Sequence, residues 1–274
     1  MPGIIVGGHT VNNLRYADDT VLLADCEEDL QSLVSTIKEE SRKYGLEINK
    51  KKTQTMIITK DTEVPAVNIE IEGKILEQVK RFTYLGQLIT VDGRSEEEIK
   101  RRIGMAKTVF ERMKKLLTNR KISYQLKLRL TKCFIWSVLL YASETWTLTA
   151  VLEKRIEAAE MWIYRRITRT SWKDKKTNKE VLNQLGLKET SLVKTIKTRK
   201  LSYYGHIRRH DTLQRRILEG KIEGKRGRGR RRKSWIKNIE ETTGMNINNC
   251  CELARDRDMW RAMASNLPTE KEPR

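Results

Sequence analysis

Two adjacent carboxylates, Asp18 and Asp19, stand where two β-type runs of the chain meet. The run before them, residues 11–16, alternates apolar and polar positions, and the run after them, residues 20–24, is almost entirely apolar. This pattern predicts a β-hairpin with both carboxylates at its tip and a returning strand buried on both faces. Adjacent like charges are stabilised by a divalent cation held between them and a phosphate. The pair indicates magnesium-dependent phosphoryl or nucleotidyl transfer, with an ordinary surface turn as the alternative.

The elements that would position this hairpin are a helix and several short strands. Asp25 is the expected N-cap of the helix and Gly45 its C-terminal stop. One face of the helix carries apolar residues, namely Leu30, Leu33, Val34, Ile37 and Tyr44. Strands are predicted at Leu46–Ile48, Thr55–Thr59, Val67–Ile71, Ile75–Leu76 and Phe82–Leu85, with a turn at Glu72-Gly73. The first part of the chain is therefore expected to be a helix packed against small sheets.

Three segments in this part of the chain resemble motifs of one enzyme family. Residues 13–20, Asn-Leu-Arg-Tyr-Ala-Asp-Asp-Thr, resemble the catalytic hairpin (motif C) of reverse transcriptases, particularly those of non-LTR, LINE-type retrotransposons. Residues 45–49 with Lys52 and Thr53 resemble motif D, and residues 82–86 resemble the primer-grip motif E. Residues 143–146 and 205–209 resemble the C-terminal regions of such elements. The resemblance covers nearly the whole chain and is most specific up to residue 95.

The resemblance implies RNA-templated DNA synthesis from deoxynucleoside triphosphates, with an RNA template, a DNA primer and Mg²⁺. It assigns metal binding and catalysis to Asp18 and Asp19, and it places Tyr16 near the primer end or the nucleotide. Lys52 would protonate or stabilise the leaving pyrophosphate. Residues that would position the primer are Phe82, Tyr84, Leu85 and Gly86. The alternatives are a solvated lysine at position 52 and an ordinary amphipathic edge strand at residues 82–86.

One part of the family pattern is absent from the printed sequence. The family has a further metal-binding aspartate (motif A) and a nucleotide-selecting loop (motif B) before motif C. The fifteen residues before Tyr16 contain no Asp or Glu and suggest a strand pair that turns near Gly7-Gly8. We therefore expect an N-terminally truncated enzyme that lacks an upstream polymerase or endonuclease portion. Such a chain would bind Mg²⁺ weakly, would be inactive alone, and would expose an apolar patch and an unpaired sheet edge within residues 1–94.

From residue 95 the pattern changes to long helices. Ser95 and Glu98 predict a capping box. The helix that follows should bury Ile99, Ile103, Ala106, Phe110, Met113 and Leu117. A second helix is predicted over Ser123–Tyr141, with its apolar end, residues 134–141, buried, and a third over Ala150–Thr168. The basic outer faces of these helices favour a thumb-like bundle that grips duplex backbone, with a solvated helix face as the alternative.

Residues 171–274 should form short helices, at Asn178–Leu185 and Leu192–Tyr204, and a basic strap at residues 221–233. The strap has eight basic residues, one acid and three glycines, which argue against a helix. Its candidate nucleic-acid-binding residues are Arg226, Arg228, Arg230, Arg231, Arg232 and Lys233. The strap could contact phosphates, act as a nuclear localisation signal, or simply be solvated. Trp235 is a candidate base-stacking platform, whereas Trp146, Trp162 and Trp172 are expected in the interior.

The charge distribution points to a polyanionic partner for the second part of the chain. The formal net charge of the 274 residues is +20, but residues 1–94 carry −3 and residues 95–274 carry +23. No apolar run approaches the roughly 20 residues that span a bilayer, and no secretory leader is evident. We expect an intracellular protein, in the nucleus or the cytoplasm, with no membrane partner.

The cysteines have no metal-binding spacing. Cys26, Cys133, Cys250 and Cys251 form no C-x₂-C pattern and are expected to be free thiols in a reducing compartment. The alternative is a metal site that joins Cys250 and Cys251 to either His206 or His210.

Taken together, the sequence predicts an α+β fold, with a partial polymerase palm followed by a mainly α-helical thumb and C-terminal region. The predicted domains are a partial palm at 1–94, a thumb-like bundle at 95–170, and a basic helical region at 171–274. The predicted function is that of a truncated non-LTR reverse transcriptase. The alternatives are a non-catalytic nucleic-acid-binding remnant of a retroelement and a decayed fragment without a selected function.

Overall fold

The computed structural model describes residues 2–59, 63–220 and 232–267. They group into two compact units, one of the described residues up to 93 with 211–220 and the other of residues 94–210 with 232–267. The fold is a mixture of helices and small two-stranded sheets, with helices in the majority. This agrees with the predicted class, while the palm and thumb assignments and the three-domain division stay predictions.

The strands of the first unit pair two by two. The antiparallel pairs are β1 (Ile4–Val6) with β2 (His9–Val11), β3 (Asn13–Tyr16) with β4 (Asp19–Leu22), β6 (Glu70–Ile71) with β7 (Lys74–Ile75), and β9 (Arg81–Tyr84) with β10 (Gln87–Thr90), whereas β5 (Gln54–Thr55) runs parallel to β8 (Glu77–Gln78). The predicted turns at Gly7-Gly8 and Glu72-Gly73 are confirmed. The predicted strand at Leu46–Ile48 is wrong, because the Leu46 amide donates back to the Ser41 carbonyl and the side chain lies exposed.

A single helix, α1 (Glu27–Lys43), supports the small core of the first unit. That core buries Val34, Ile69, Ile71 and Leu76 and adds Leu22, Leu30 and Ile48 at its edge. Two details of the helix prediction are wrong. Cys26, and not Asp25, is the N-cap, because helical geometry begins only at Glu27. Tyr44 lies beyond the last helical residue and is 79% exposed, so it does not continue the apolar face.

The returning strand β4 is less buried than its apolar sequence predicts. Val21 and Leu22 are half-buried, and Asp19 and Thr20 are exposed. Strands β3 and β4 form a sheet of their own, so β4 has one strand neighbour instead of two. The prediction that β4 is buried on both faces is therefore wrong.

The second unit is built from helices. They are α2 (Glu96–Leu117), α3 (Tyr124–Leu130), α4 (Ser137–Leu139), α5 (Ala150–Ile167), α6 (Asn178–Gln184) and α7 (Leu192–Arg209), while α8 (Leu213–Glu219) belongs to the first unit and α9 (Trp235–Thr243), α10 (Ile247–Leu253) and α11 (Arg257–Ser265) complete the second. A π-helical segment, Thr131–Trp136, joins α3 to α4. The predicted buried positions of α2 are confirmed, except that Met113 is half-buried.

Two expectations for the second unit are corrected. Ser95 and Glu98 form no capping box, because the Ser95 hydroxyl accepts from the Thr147 amide (3.1 Å) and the buried Glu98 carboxylate binds Arg102 (2.6 Å). The apolar run at residues 134–141 is only partly buried. Phe134 is 52% exposed, because the wider π-helical turn changes which side chains face the core.

The C-terminal helices pack on the second half of α7. The indole of Trp260 is buried and donates to the Leu201 carbonyl (2.7 Å). Its ring lies against Gly205, where an added Cβ would stand 2.4 Å from the indole Cδ1. Position 205 therefore requires glycine for this close approach.

Candidate functional site

The β3–β4 hairpin holds Asp18 and Asp19 at its tip, as predicted from the sequence. Tyr16 pairs with Asp19 across the hairpin, so Ala17 and Asp18 form the two-residue turn. Ala17 adopts a left-handed backbone (φ 53°), a conformation that normally favours glycine at this position of a hairpin. Both carboxylates are exposed, and Tyr16 is 65% exposed. The turn therefore presents two negative charges and one aromatic ring to solvent.

Two carboxylates are too few for the metal chemistry that the tip suggests. Metal-assisted nucleotidyl transfer uses two ions held by carboxylates from separate parts of the chain. Within the part of the chain that the structure describes, no group of three or more His, Cys, Asp or Glu side chains could hold a metal ion. The hairpin can contribute two oxygen-bearing ligands to such a site, and these residues do not fit a complete two-metal centre.

Lys52 lies in an exposed turn after α1. Its amide donates to the Asn49 backbone carbonyl (3.0 Å), and its side chain is exposed. The engaged lysine of this run is Lys50, whose ammonium binds Glu72. Lys50 is the main cause of a lowered pKa of the Glu72 carboxyl, and Lys38 at 3.4 Å contributes further. Lys52 is therefore placed by the Asn49 turn and keeps its ammonium at the surface.

The residues of the predicted primer grip form a second hairpin. Phe82 pairs with Ile89 and Tyr84 with Gln87, and Leu85-Gly86 form the turn with φ values of 46° and 77°. Phe82 and Tyr84 are half-buried, and Leu85 and Gly86 are exposed. This hairpin and the Asp18 hairpin are separate two-stranded sheets. The structure thus groups Tyr16, Asp18 and Asp19 in one hairpin and residues 82–86 in another.

Most of the basic strap lies outside the described residues, including Arg226, Arg228, Arg230 and Arg231. Of its last two residues, Arg232 is exposed and Lys233 forms an ion pair with Glu241 at 2.5 Å. Trp235, the candidate stacking platform, donates to the Glu144 carbonyl (2.8 Å) and packs edge-on against Tyr203. Its ring is used inside the second unit and is not offered to a base.

A buried lysine that the sequence analysis did not single out lines a cavity of about 170 Å³ in the second unit. Lys200 is 2% exposed, and its ammonium donates to Asn238 Oδ1 (2.8 Å). Burial, and then the nearby Lys233, lower the pKa of Lys200 to about 7. The Asn238 side chain also bonds both backbone groups of Leu148 (2.6 and 2.8 Å). Position 200 shares the apolar face of α7 with Ile196 and Tyr204, a signal that was available in the sequence.

A second missed residue, Glu160, is fully buried on the apolar face of α5. Its carboxylate accepts from the amides of Ser191 and Leu192 (both 2.9 Å) and from the hydroxyl of Tyr164 (2.8 Å). Glu160 thus satisfies the free amides at the start of α7. Burial first, and then the charge of Glu160, raise the pKa of the Tyr164 hydroxyl well above its ordinary value. This carboxylate is structural.

The alternative metal site at the cysteines is wrong. Cys250 is buried beside the Thr243 hydroxyl, and Cys251 lies 3.1 Å from the Tyr204 hydroxyl. His206 and His210 contact each other, with ring centroids 4.5 Å apart. All four cysteines are free thiols, and in the ranges that the structure covers these side chains assemble no metal-binding group.

Comparison with known proteins places the hairpins within a known domain. The family model for reverse transcriptase (RNA-dependent DNA polymerase) matches residues 5–89. This part of the chain is therefore similar to reverse transcriptases. A transposon-derived protein of Caenorhabditis elegans is 27% identical to this chain in an alignment 274 residues long. The alignment covers 94% of this chain and 96% of that protein. No solved structure matches the chain.

The reverse transcriptase match contains all the catalytic and primer-positioning candidates, from Tyr16 to Gly86. It ends before α2, so the second unit lies outside the matched residues. None of the helices in ranges 2–59, 63–220 and 232–267 is long and apolar enough to cross a membrane.

Proposed function

We propose that the chain derives from the RNA-directed DNA polymerase of a non-LTR, LINE-type retrotransposon. The observation that carries this proposal is the Asp18-Asp19 pair at the tip of a β-hairpin inside the reverse transcriptase match. In this proposal Asp18 and Asp19 are ligands for Mg²⁺, Lys52 faces the departing pyrophosphate, and residues 82–86 hold the primer. The partners are an RNA template, a DNA primer and deoxynucleoside triphosphates, in the nucleus or the cytoplasm.

These 274 residues alone would not extend a primer, because the hairpin supplies two carboxylates where the chemistry needs a further ligand from another strand. When bound, magnesium would neutralise the charge of the phosphates. The further carboxylate would have to come from another segment or polypeptide. Catalysis is therefore the incomplete part of the proposed function.

Primer extension on an RNA template tests this directly. We expect background incorporation for the chain and for Asp18→Asn, with Asp25→Asn as a control that changes an exposed carboxylate away from the tip. If the chain extends the primer, and this activity remains in Asp25→Asn but is lost in Asp18→Asn, the chain is an active polymerase. That result would refute the proposal that these residues alone are inactive.

A second candidate function, non-catalytic nucleic-acid binding, is supported by the charge of +23 on residues 95–274 against −3 on residues 1–94. Binding carried by phosphate contacts weakens steeply with salt, with a slope of about −0.9 per contact on duplex DNA. We expect such a slope for RNA and DNA, and a shallower one after deletion of residues 221–233. Weak, salt-insensitive binding would contradict this function, and together with background extension it would favour a decayed fragment.

A further inference from the structure

Trp172 is the most exposed large apolar side chain of the described residues, at 85%. The sequence analysis expected it in the interior, and that expectation is wrong. It begins the short 3₁₀ turn Trp172–Asp174 after α5, within ten consecutive exposed residues, 171–180. Exposing an indole forgoes the burial that usually stabilises this side chain. The exposed Trp172 indole is therefore a candidate contact for a binding partner.

Hydrogen bonds hold the turn that carries Trp172. The Ser171 hydroxyl accepts from the Lys173 amide, and the Asp174 carboxylate accepts from the Ser171 amide (2.7 Å). Arg165 fixes the continuation of the loop by donating to the carbonyl of Lys176 and to the side chain of Asn178 (both 2.9 Å). The indole is presented from a fixed loop, which lowers the ordering cost of binding.

The loop belongs to a strongly basic surface, which we call the Trp172 surface. Arg169 donates to the Thr118 carbonyl (2.6 Å), and Gln184 donates to the Tyr124 hydroxyl (2.9 Å). These two bonds join the residues on either side of the loop, 169 and 184, to residues 118–124. The seven exposed basic residues of the two segments are Arg120, Lys121, Arg169, Lys173, Lys175, Lys176 and Lys179.

The two acids of the Trp172 surface bind mainly to backbone amides. Asp174 and Glu180 each accept backbone amides in a capping box. The amide and hydroxyl of Thr177 lower the pKa of Glu180, so this carboxyl stays ionised and turned to its own helix. None of the four lysines between residues 173 and 179 forms an ion pair with another described residue of this unit. Lys176 donates to the Gln184 side chain (3.3 Å), and the Lys173 ammonium lies 6.0 Å from the centre of the Trp172 ring. All four lysines are exposed, so an external polyanion can reach them.

We propose that the Trp172 surface binds single-stranded nucleic acid, with the indole stacked on an unpaired base and the seven basic side chains along the phosphates. Aromatic stacking with a basic groove is the common way in which proteins hold single strands. A duplex suits the site less, because its bases already stack on one another. This inference rests on the proposed function, since it gives the second unit the task of holding template or primer ends.

The experiment is a binding titration with three labelled ligands of equal charge: a short single-stranded RNA, an abasic strand of the same length, and a duplex. The variants are Trp172→Ala and Trp172→Phe, with Tyr44→Ala as the matched control, because Tyr44 is an exposed aromatic beside Arg42 and Lys43 in the other unit. Circular dichroism and thermal unfolding should match the unmodified chain for every variant, since the indole is solvent-exposed.

For the single strand, Trp172→Ala should weaken the affinity by about 5- to 150-fold, the range for loss of one base–aromatic stack. Trp172→Phe should retain most of the affinity. The abasic strand and the duplex should bind Trp172→Ala and the unmodified chain equally well. Replacing Lys173, Lys175 and Lys179 by glutamine should weaken all three ligands and reduce the salt dependence.

The failures are distinguishable. If the chain binds RNA but Trp172→Ala binds the single strand unchanged, the stacking proposal is overturned and the proposed nucleic-acid function stands. The stacking proposal is likewise overturned if Trp172→Ala weakens the binding of the abasic strand as much as the binding of the RNA. If the unmodified chain binds none of the ligands, both proposals fail.

Discussion

The first unit buries four apolar residues in its core, among the residues that the structure covers, and the main cluster of the second unit buries twenty-four. The match to the reverse transcriptase model lies in the first unit, where tight turns position the candidate catalytic residues. The second unit lies outside the family match. It buries some ionisable side chains, such as Glu160 and Lys200, and each of these two is hydrogen-bonded. The residues that match the reverse transcriptase model and the larger apolar core are therefore in different units.

The largest expected effect comes from the same chemical change made in both units. Glu160→Gln replaces a buried oxygen acceptor by an amide that cannot accept from both Ser191 and Leu192 on opposite oxygens. We expect a loss of about 3–5 kcal/mol in the free energy of unfolding of the second unit. Asp18→Asn, at the exposed hairpin tip, should change stability by less than about 0.5 kcal/mol.

Chemical denaturation, monitored by circular dichroism and tryptophan fluorescence, measures the free energy of unfolding of both variants. Glu189→Gln, an exposed glutamate in the second unit, is the control for a general effect of charge removal. Equal losses for Glu160→Gln and Asp18→Asn would contradict the contrast between the units.

The next effect depends on pH. In the unfolded chain Lys200 keeps its ordinary pKa of 10.5, and in the fold its pKa is about 7. Between these values the unfolded state binds one more proton, so stability rises with pH, by up to about 1.4 kcal/mol per pH unit. Below pH 7 the full cost of the buried charge remains. Lys200→Met should remove the rise between pH 7 and 9, worth about 2–3 kcal/mol.

Urea denaturation at a series of pH values measures this slope. Lys194→Met, an exposed lysine on the same helix, should keep the rise. A slope that is identical in Lys200→Met and the unmodified chain would show that Lys200 is protonated alike in both states.

The smallest effect concerns the hairpin turn. Ala17→Gly relieves the left-handed backbone at φ 53° and should stabilise the β3–β4 hairpin by about 0.5–1 kcal/mol. Slower amide exchange at Leu14 and Val21 would report it. Ala158→Gly, an exposed position within α5, should instead cost about 1 kcal/mol. Faster exchange in Ala17→Gly would refute a strained turn.

Local patterns predicted most of the elements. The hairpin tip, the turn at Glu72-Gly73 and the buried positions of α2 follow from residue type and period. Long-range contacts were not predictable in this way. Ser95 had a local partner in the sequence, but its hydroxyl accepts from Thr147, which is fifty-two residues away. Exposure was also misjudged, because Trp172 is apolar by type and only the surrounding fold decides whether an indole is covered.

The candidate site was predictable only in part. Asp18 and Asp19 were found because their chemistry is expressed in neighbouring residues. Lys200 and Glu160 were not predicted, although each lies among apolar residues at helical spacing. Each is a single charged residue on an apolar helix face, so neither belongs to a cluster of charges that would mark it as a candidate. Whether the hairpins of residues 13–22 and 81–90 cooperate depends on strand neighbours that period and composition do not specify.

The two hydrogen bonds between the Asn238 side chain and the Leu148 backbone have a consequence for the timing of folding on the ribosome. The two residues are separated by 90 positions, and at typical synthesis rates of about 5–20 residues per second this is a delay of roughly 5–20 s. During that interval α7 has emerged, but the acceptor for its Lys200 ammonium has not been made. During this interval the Lys200 ammonium is hydrated by water, and the last helices to be synthesised bury it and complete the interior of the second unit.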